Sequence, residues 1–174
     1  MAAGRTPEET HTELALKVED LSDQAFAPFG QVIRAGEDGE PFGPSDAQLV
    51  LDRGVPRFYI MKLQNKGLTF RQITRHRMVT QCLAAVGGKS WYIAVAAPGE
   101  VSNQDYRPSV GEIRAFHVPG DVAVKFHLGT WHAGPFFEAD EICFLNLELA
   151  DTNVVDHQSC QLDKEYGVTI RFQP

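Results

Sequence analysis

The chain has 174 residues, of which 43% are hydrophobic and 22% charged. This is the mix of one folded domain with a proper core, and the length is short for two. Its 16 basic residues face 23 acidic ones, for a formal charge of −7; with no basic patch in view, neither nucleic acid nor an anionic membrane is an expected partner.

Residues 1–13 are polar and read as a disordered tail, leaving 14–174 as the single domain. The N-terminus has no apolar stretch of the secretory kind, and the longest apolar run, residues 91–98, is far below the ~20 residues of a membrane span. The expected location is the cytoplasm, with an organelle address left open. Ser22 is a suitable cap for one short helix over 22–26, ending near Pro28. From there the pattern is short apolar runs punctuated by glycine and proline. Strands are expected over 31–34, 48–51, 57–63, 68–74, 81–86, 91–97, 113–118, 122–127, 131–137, 142–149 and 168–172. Turn signals fall at Gly87-Gly88, Pro98-Gly99, Pro119-Gly120 and Leu128-Gly129. This spacing predicts an all-β sandwich or barrel. The polar segment 99–112 is a long loop, either a lid or a surface excursion. Cys82, Cys143 and Cys160 are odd in number and far apart, as reduced thiols are; Cys82 and Cys143 sit in apolar runs and read as buried small hydrophobes.

Alternation along 122–127 puts Val122, Val124 and Phe126 on one side and Lys125 and His127 on the other. The tight turn at Gly129 then returns the chain to Trp131-His132. His127 and His132 are therefore expected on neighbouring strands, close enough to share a site with Lys125. A second segment, 73–81, mixes apolar residues with Arg75, His76, Arg77 and Gln81. Arginine offers a planar fork suited to a carboxylate, and glutamine both donates and accepts. Alone, this segment reads as an edge strand with solvated arginines. His11, His117 and His157 read as tail, barrel-wall and loop residues.

Pro119-Gly120-Asp121 followed by Gly129-Thr130-Trp131-His132 resembles the second cupin motif, P-G-D then G-x-x-H. Thr74-Arg75-His76 with Gln81 resembles the first, with threonine for its first histidine and glutamine for its glutamate. A narrower resemblance covers residues 21–156. Arg75-His76, Thr80-Gln81, Arg114-Ala115-Phe116, His127 with Trp131-His132, Pro135 and Phe144-Leu145 follow the order and spacing of the ureidoglycolate lyase family. The tail of the chain looks like the eukaryotic, plant-type branch. Ala133 stands where bacterial members have a further histidine, Lys125 where they have a neutral polar residue, and Glu148 where they have aspartate.

The resemblance implies a cupin-type double-stranded β-helix, a jelly-roll barrel of two antiparallel sheets with one or two short helices. It implies cleavage of (S)-ureidoglycolate to glyoxylate and urea in allantoin and purine catabolism, and a homodimer. That reaction needs a base for the carbinol proton, an acid for the departing nitrogen and a cation for the carboxylate. His127 and His132 suit base and acid, with Lys125 beside them. Arg75 suits the carboxylate, Gln81 the ureido group, and His76 and Trp131 the remaining substrate contacts. The candidate ligands for a metal are His76, Gln81 and His132, which would hold a divalent ion weakly; the preferred reading is a metal-free or weakly metallated site. Two alternatives remain: a metal-dependent cupin acting on another small carboxylic acid, and a non-catalytic binder of such acids.

Overall fold

The computed structural model describes residues 11–174. Most of the expected tail lies outside the described residues, but its last two residues do not belong to a tail. Strand β1 (Thr12–Asp20) begins at Thr12, where the chain pairs with Val168 and Glu13 pairs with Thr169. The signal was present in the spacing of Leu14, Leu16 and Val18 between Glu13, Lys17 and Glu19, and those three side chains pack on the core. Helix α1 (Asp23–Phe26) follows as expected, its Ser22 hydroxyl accepting from the Ala25 amide.

The remaining elements, in chain order, are β2 (Gly30–Ile33), β3 (Pro56–Gln64), β4 (Thr69–Phe70), β5 (Gln72–Arg75), β6 (Gln81–Val86), β7 (Gly88–Ala96), β8 (Arg114–Gly120), β9 (Ala123–Phe126), β10 (Trp131–Phe136), β11 (Glu141–Leu149), α2 (Thr152–Val155), β12 (Gln158–Gln161), α3 (Leu162–Tyr166) and β13 (Val168–Gln173). Two expectations change. Residues 48–51 form no strand, although Val50 exchanges hydrogen bonds with Thr80. The strand expected over 68–74 breaks at Arg71, whose carbonyl accepts from the Leu162 amide. Strand β12 was not expected, because its polar sequence Gln-Ser-Cys-Gln carries no apolar alternation.

Two sheets result, ordered β12-β5-β10-β7-β8-β1-β13-β4 and β2-β9-β6-β11-β3. This is the expected all-β roll of two packed sheets, with one difference: β1 runs parallel to both β13 and β8, and every other pairing is antiparallel. One residue, Arg71, separates β4 from β5, yet these strands lie near opposite ends of the larger sheet. The larger sheet therefore curls on itself. That curl creates two apolar layers. One lies between the sheets and contains Trp91, Ile93, Val95, Phe116, Val124, Phe126 and Phe144. The other lies inside the curl and contains Ile73, Ala94, Ala96, Trp131, Phe136, Ile170 and Phe172.

Strand β7 feeds both layers by simple alternation, odd positions to one side and even to the other. Gly120 is required where β8 meets β7, since a Cβ there would fall 2.1 Å from the Gly88 carbonyl oxygen. In β8, Arg114 forms a two-pronged ion pair with Glu19 of β1 (2.8 and 2.6 Å), so the Arg-Ala-Phe motif serves the fold.

Candidate active site

A cleft of about 520 Å³ opens between the two sheets at one end of the roll. The larger sheet lends it Thr74 of β5, His76 just beyond β5, and His132 of β10. The smaller sheet lends it Tyr59 of β3, Gln81 of β6, and Asn146 and Glu148 of β11. Lys66, Arg71, Gln72, Asn153 and His157 complete the polar lining, and Phe70, Leu83 and Phe136 are among its apolar residues. A larger groove of about 630 Å³ lies beside α1 and β2, but its lining includes neither histidine nor cysteine.

The two buried imidazoles are fixed in one tautomer. His76 Nδ1 donates to the Asp156 carbonyl at 2.6 Å, and His132 Nδ1 donates to the Thr130 carbonyl at 3.1 Å. A carbonyl only accepts, so in the neutral rings Nε2 is left with its lone pair. The Asp156 carboxylate also accepts from the Arg77 and Met78 amides (2.7 and 2.8 Å), pinning the chain just after His76. The His132 ring stacks on Phe126 at 4.8 Å and lies 5.2 Å from His76. Burial, with His76 adding to it, pushes the His132 imidazole down to about 3. Burial also lowers His76, partly offset by its bond to Asp156. Both rings are therefore neutral near pH 7.

Opposite them is a buried polar network. Gln81 Nε2 donates to Asn146 Oδ1 (3.1 Å) and Glu148 Oε2 (3.2 Å). Asn146 Nδ2 donates to the Tyr59 hydroxyl (3.0 Å), which reaches Glu148 Oε1 at 3.5 Å. Gln81 Oε1 is buried and has no partner.

Of the expected site residues, His76, Gln81 and His132 meet in this cleft. The other four do not, and alternation is the reason in each case. Arg75 adjoins His76 and faces the opposite side of β5, fully buried. Its guanidinium donates to Gln158 Oε1 (2.8 Å) and to the carbonyls of Pro98 (3.0 Å), Glu100 and Asn103. It lies over Trp131, which adjoins His132 and likewise faces the inner layer of the curl. Arg77 adds bonds to the Val101 and Ser102 carbonyls, so the long loop is clamped to this face. Lys125 and His127 flank Phe126 and point away from the cleft. Lys125 Nζ and His127 Nδ1 are 3.2 Å apart, and His127 Nε2 bonds the Ala27 carbonyl at 3.0 Å. The expected approach of His127 to His132 fails because β9 and β10 belong to different sheets. Cys82 and Cys143 are half-buried and Cys160 is buried, all as free thiols.

Tyr59, Asn146, Glu148, Lys66, Arg71 and His157 were not read from the sequence as site residues. Asn146 and Glu148 did leave a signal: they share the parity of Ile142 and Phe144, and polar residues in a core-facing register ask for an explanation. His157 left none; its ring lies 5.7 Å from His76 only because the loop after α2 folds back.

Among the described residues, no three His, Cys, Asp or Glu side chains converge to hold a metal ion. Gln81 turns its nitrogen, a donor, to Glu148 and Asn146, which leaves His76 and His132 as a pair of imidazoles without a charged companion ligand. This donor set does not fit a cupin metal centre. Among the described residues, no helix is long and apolar enough to cross a membrane.

Two neutral imidazoles thus face an oriented amide and a carboxylate, with cationic side chains in the same lining. The family model for ureidoglycolate lyase matches residues 52–169, and the chain belongs to that family. It is 26% identical to the ureidoglycolate lyase of Azotobacter vinelandii over 156 residues, covering 82% of this chain and 90% of the relative. It is 29% identical to that of Pseudomonas aeruginosa over 129 residues, covering 67% and 73%. Among solved structures, it is similar to RmlC from Streptococcus suis in complex with dTDP-D-xylose (TM-score 0.41, 8% identity, 55% of this chain and 44% of that one). It is also similar to oxalate decarboxylase from Lactobacillus farciminis (TM-score 0.39, 12% identity, 86% and 34%). The chain thus spans under half of each of those two structures.

Proposed function

We propose that the chain is a ureidoglycolate lyase that cleaves (S)-ureidoglycolate to glyoxylate and urea with its own side chains. The observation that carries this reading is the division of the cleft. Neutral imidazole acceptors lie on one sheet, an unpartnered amide oxygen lies on the other, and Lys66 and Arg71 supply positive charge in the lining. Arg75, spent on loop carbonyls, is replaced as carboxylate clamp by Arg71 and Lys66. Gln81 Oε1 then accepts from a ureido N–H.

His132 Nε2 takes the proton of the carbinol hydroxyl. The oxygen lone pair forms the glyoxylate carbonyl, the carbon–nitrogen bond breaks, and its electron pair stays on nitrogen. The same imidazole, now protonated at Nε2, returns that proton to the departing urea nitrogen. No water enters the products. Substrate anion beside the ring favours the transient imidazolium, which burial opposes.

The test is direct. Purified protein with ureidoglycolate must release urea and glyoxylate in equal amounts, faster than the spontaneous reaction. A rate equal to the background overturns the proposal.

A further inference from the structure

The orientation of Gln81 is not free. Its amide nitrogen sits between Asn146 Oδ1 and Glu148 Oε2. Both of these oxygens accept, so the amide turns its NH₂ group towards them. The amide oxygen is thereby turned away from both neighbours, where none of the described residues meets it. The residue is 8% exposed and lines the cleft. A buried acceptor left in this state is unfavourable, which points to a ligand that supplies the missing N–H.

Glu148, 1% exposed, governs the rest of the network in the same way. Its Oε1 lies 3.5 Å from the Tyr59 hydroxyl and 3.5 Å from Asn153 Nδ2. Tyr59 already accepts from Asn146, so its own proton turns to Glu148. Among the described residues its hydrogen-bond partners, Tyr59, Gln81 and Asn153, are neutral donors. The buried polar atom of this wall left without a partner is Gln81 Oε1, and it is an acceptor. A carbonyl or carboxylate placed there meets repulsion, and an N–H group does not.

We propose that Glu148 is a positioning residue. It holds Gln81 with its carbonyl oxygen available to the ligand, and so makes this end of the cleft selective for the N–H-bearing, ureido end of a small carboxylate. The proposal rests on the cleft being the ureidoglycolate site, and it fixes which end of such a substrate lies against β6 and β11.

The test uses two unreactive ligands, N-carbamoylglycine and N-acetylglycine. Both carry a carboxylate and a secondary amide, and only the first has the terminal NH₂. Calorimetry on the intact wild-type protein should show about tenfold tighter binding of N-carbamoylglycine, the worth of one good hydrogen bond. Glu148→Gln frees the Gln81 amide to turn over and should bring the two affinities within about twofold, whereas Glu148→Asp should retain the preference. Gln81→Met, which leaves Glu148 in place and removes the oriented oxygen, should also equalise them and serves if E148Q does not fold. A wild-type protein without the preference, or a folded E148Q or Q81M that keeps it, overturns the proposal. The lyase reading fails separately: a protein that shows the preference but leaves ureidoglycolate at its spontaneous rate retains the positioning role and loses the activity.

Discussion

The same strands carry two opposite kinds of polar residue. On the cleft side of these strands, His76 and His132 are bonded through Nδ1 and keep Nε2 open; on the reverse side, Arg75 is bonded to four acceptors and lies over Trp131. Sequence neighbours one position apart thus divide between chemistry and construction. A buried polar group with every bond satisfied holds a loop. A buried polar group with an open lone pair waits for a ligand. Charge and residue type do not separate these roles, since by type the arginine is the better carboxylate clamp.

The sharpest way to break this comparison is through the histidines, which the sequence treats alike. His132→Ala removes the Nε2 lone pair in the cleft and should lower kcat by roughly 10²–10⁴-fold, the usual worth of a general base. His127→Ala should leave kcat within about twofold, because His127 is bonded to Ala27 and Lys125 on the outer face of the smaller sheet. Urea release by both variants, with circular dichroism to establish folding, decides the matter. Equal losses would erase the distinction between the two faces.

The second expectation concerns the other side. Arg75→Ala strands the carbonyls of Pro98 and Asn103 and opens a space beside Trp131. It should cost about 3 kcal/mol of stability, with the folded fraction keeping kcat within tenfold. Arg75→Lys should recover little, since an ammonium cannot span Gln158 and two loop carbonyls as the planar fork does. Denaturant midpoints measure the loss, and proteolysis within 99–112 should rise with it. A hundredfold fall in kcat at unchanged stability would return Arg75 to the substrate.

Much of this was legible in the sequence. Nine of the eleven expected strands have observed counterparts within a few residues, because their alternation or apolar runs are strong. The segment 68–74 survives only as two short strands, and 48–51 not as a strand at all. For the site, alternation was applied within 122–127 and correctly set Lys125 and His127 against Phe126. It was not carried across the turn, where β9 and β10 part into different sheets, so Lys125 and His127 were assigned to the cleft when Phe126 and His132 face each other instead. The same rule applied to Arg75-His76 and Trp131-His132 would have separated both pairs. The curl of the larger sheet hid this: it gives the reverse face its own buried layer, so the residues there are as enclosed as those of the cleft. Glu148 and Asn146 were readable from the parity of β11. His157, Arg71 and Lys66 were not, because loop closure and a strand break bring them to the cleft.

The smallest expected effect comes from titration, and its sign follows from burial. His132 is held down to about 3 in the folded protein, first by desolvation and then by His76, against about 6.5 when unfolded. Between those values the unfolded chain binds the proton and the folded chain does not, so acid favours unfolding. The stability is fully present above about pH 6.5 and is lost as pH falls towards 3, at about 1.4 kcal/mol per pH unit for this one group well inside that window. His76, also lowered, pulls the same way. Carboxylates contribute their own slope, but a difference between variants removes it. His132→Asn keeps a side-chain amide to donate to the Thr130 carbonyl and has nothing to titrate. Its unfolding free energy, measured in denaturant at pH 7.5, 6 and 5, should therefore fall less steeply than the wild type, by about 1 kcal/mol per unit between pH 6 and 5. Parallel curves would mean that His132 charges freely in the folded state. An imidazole that charges freely would be wet rather than enclosed.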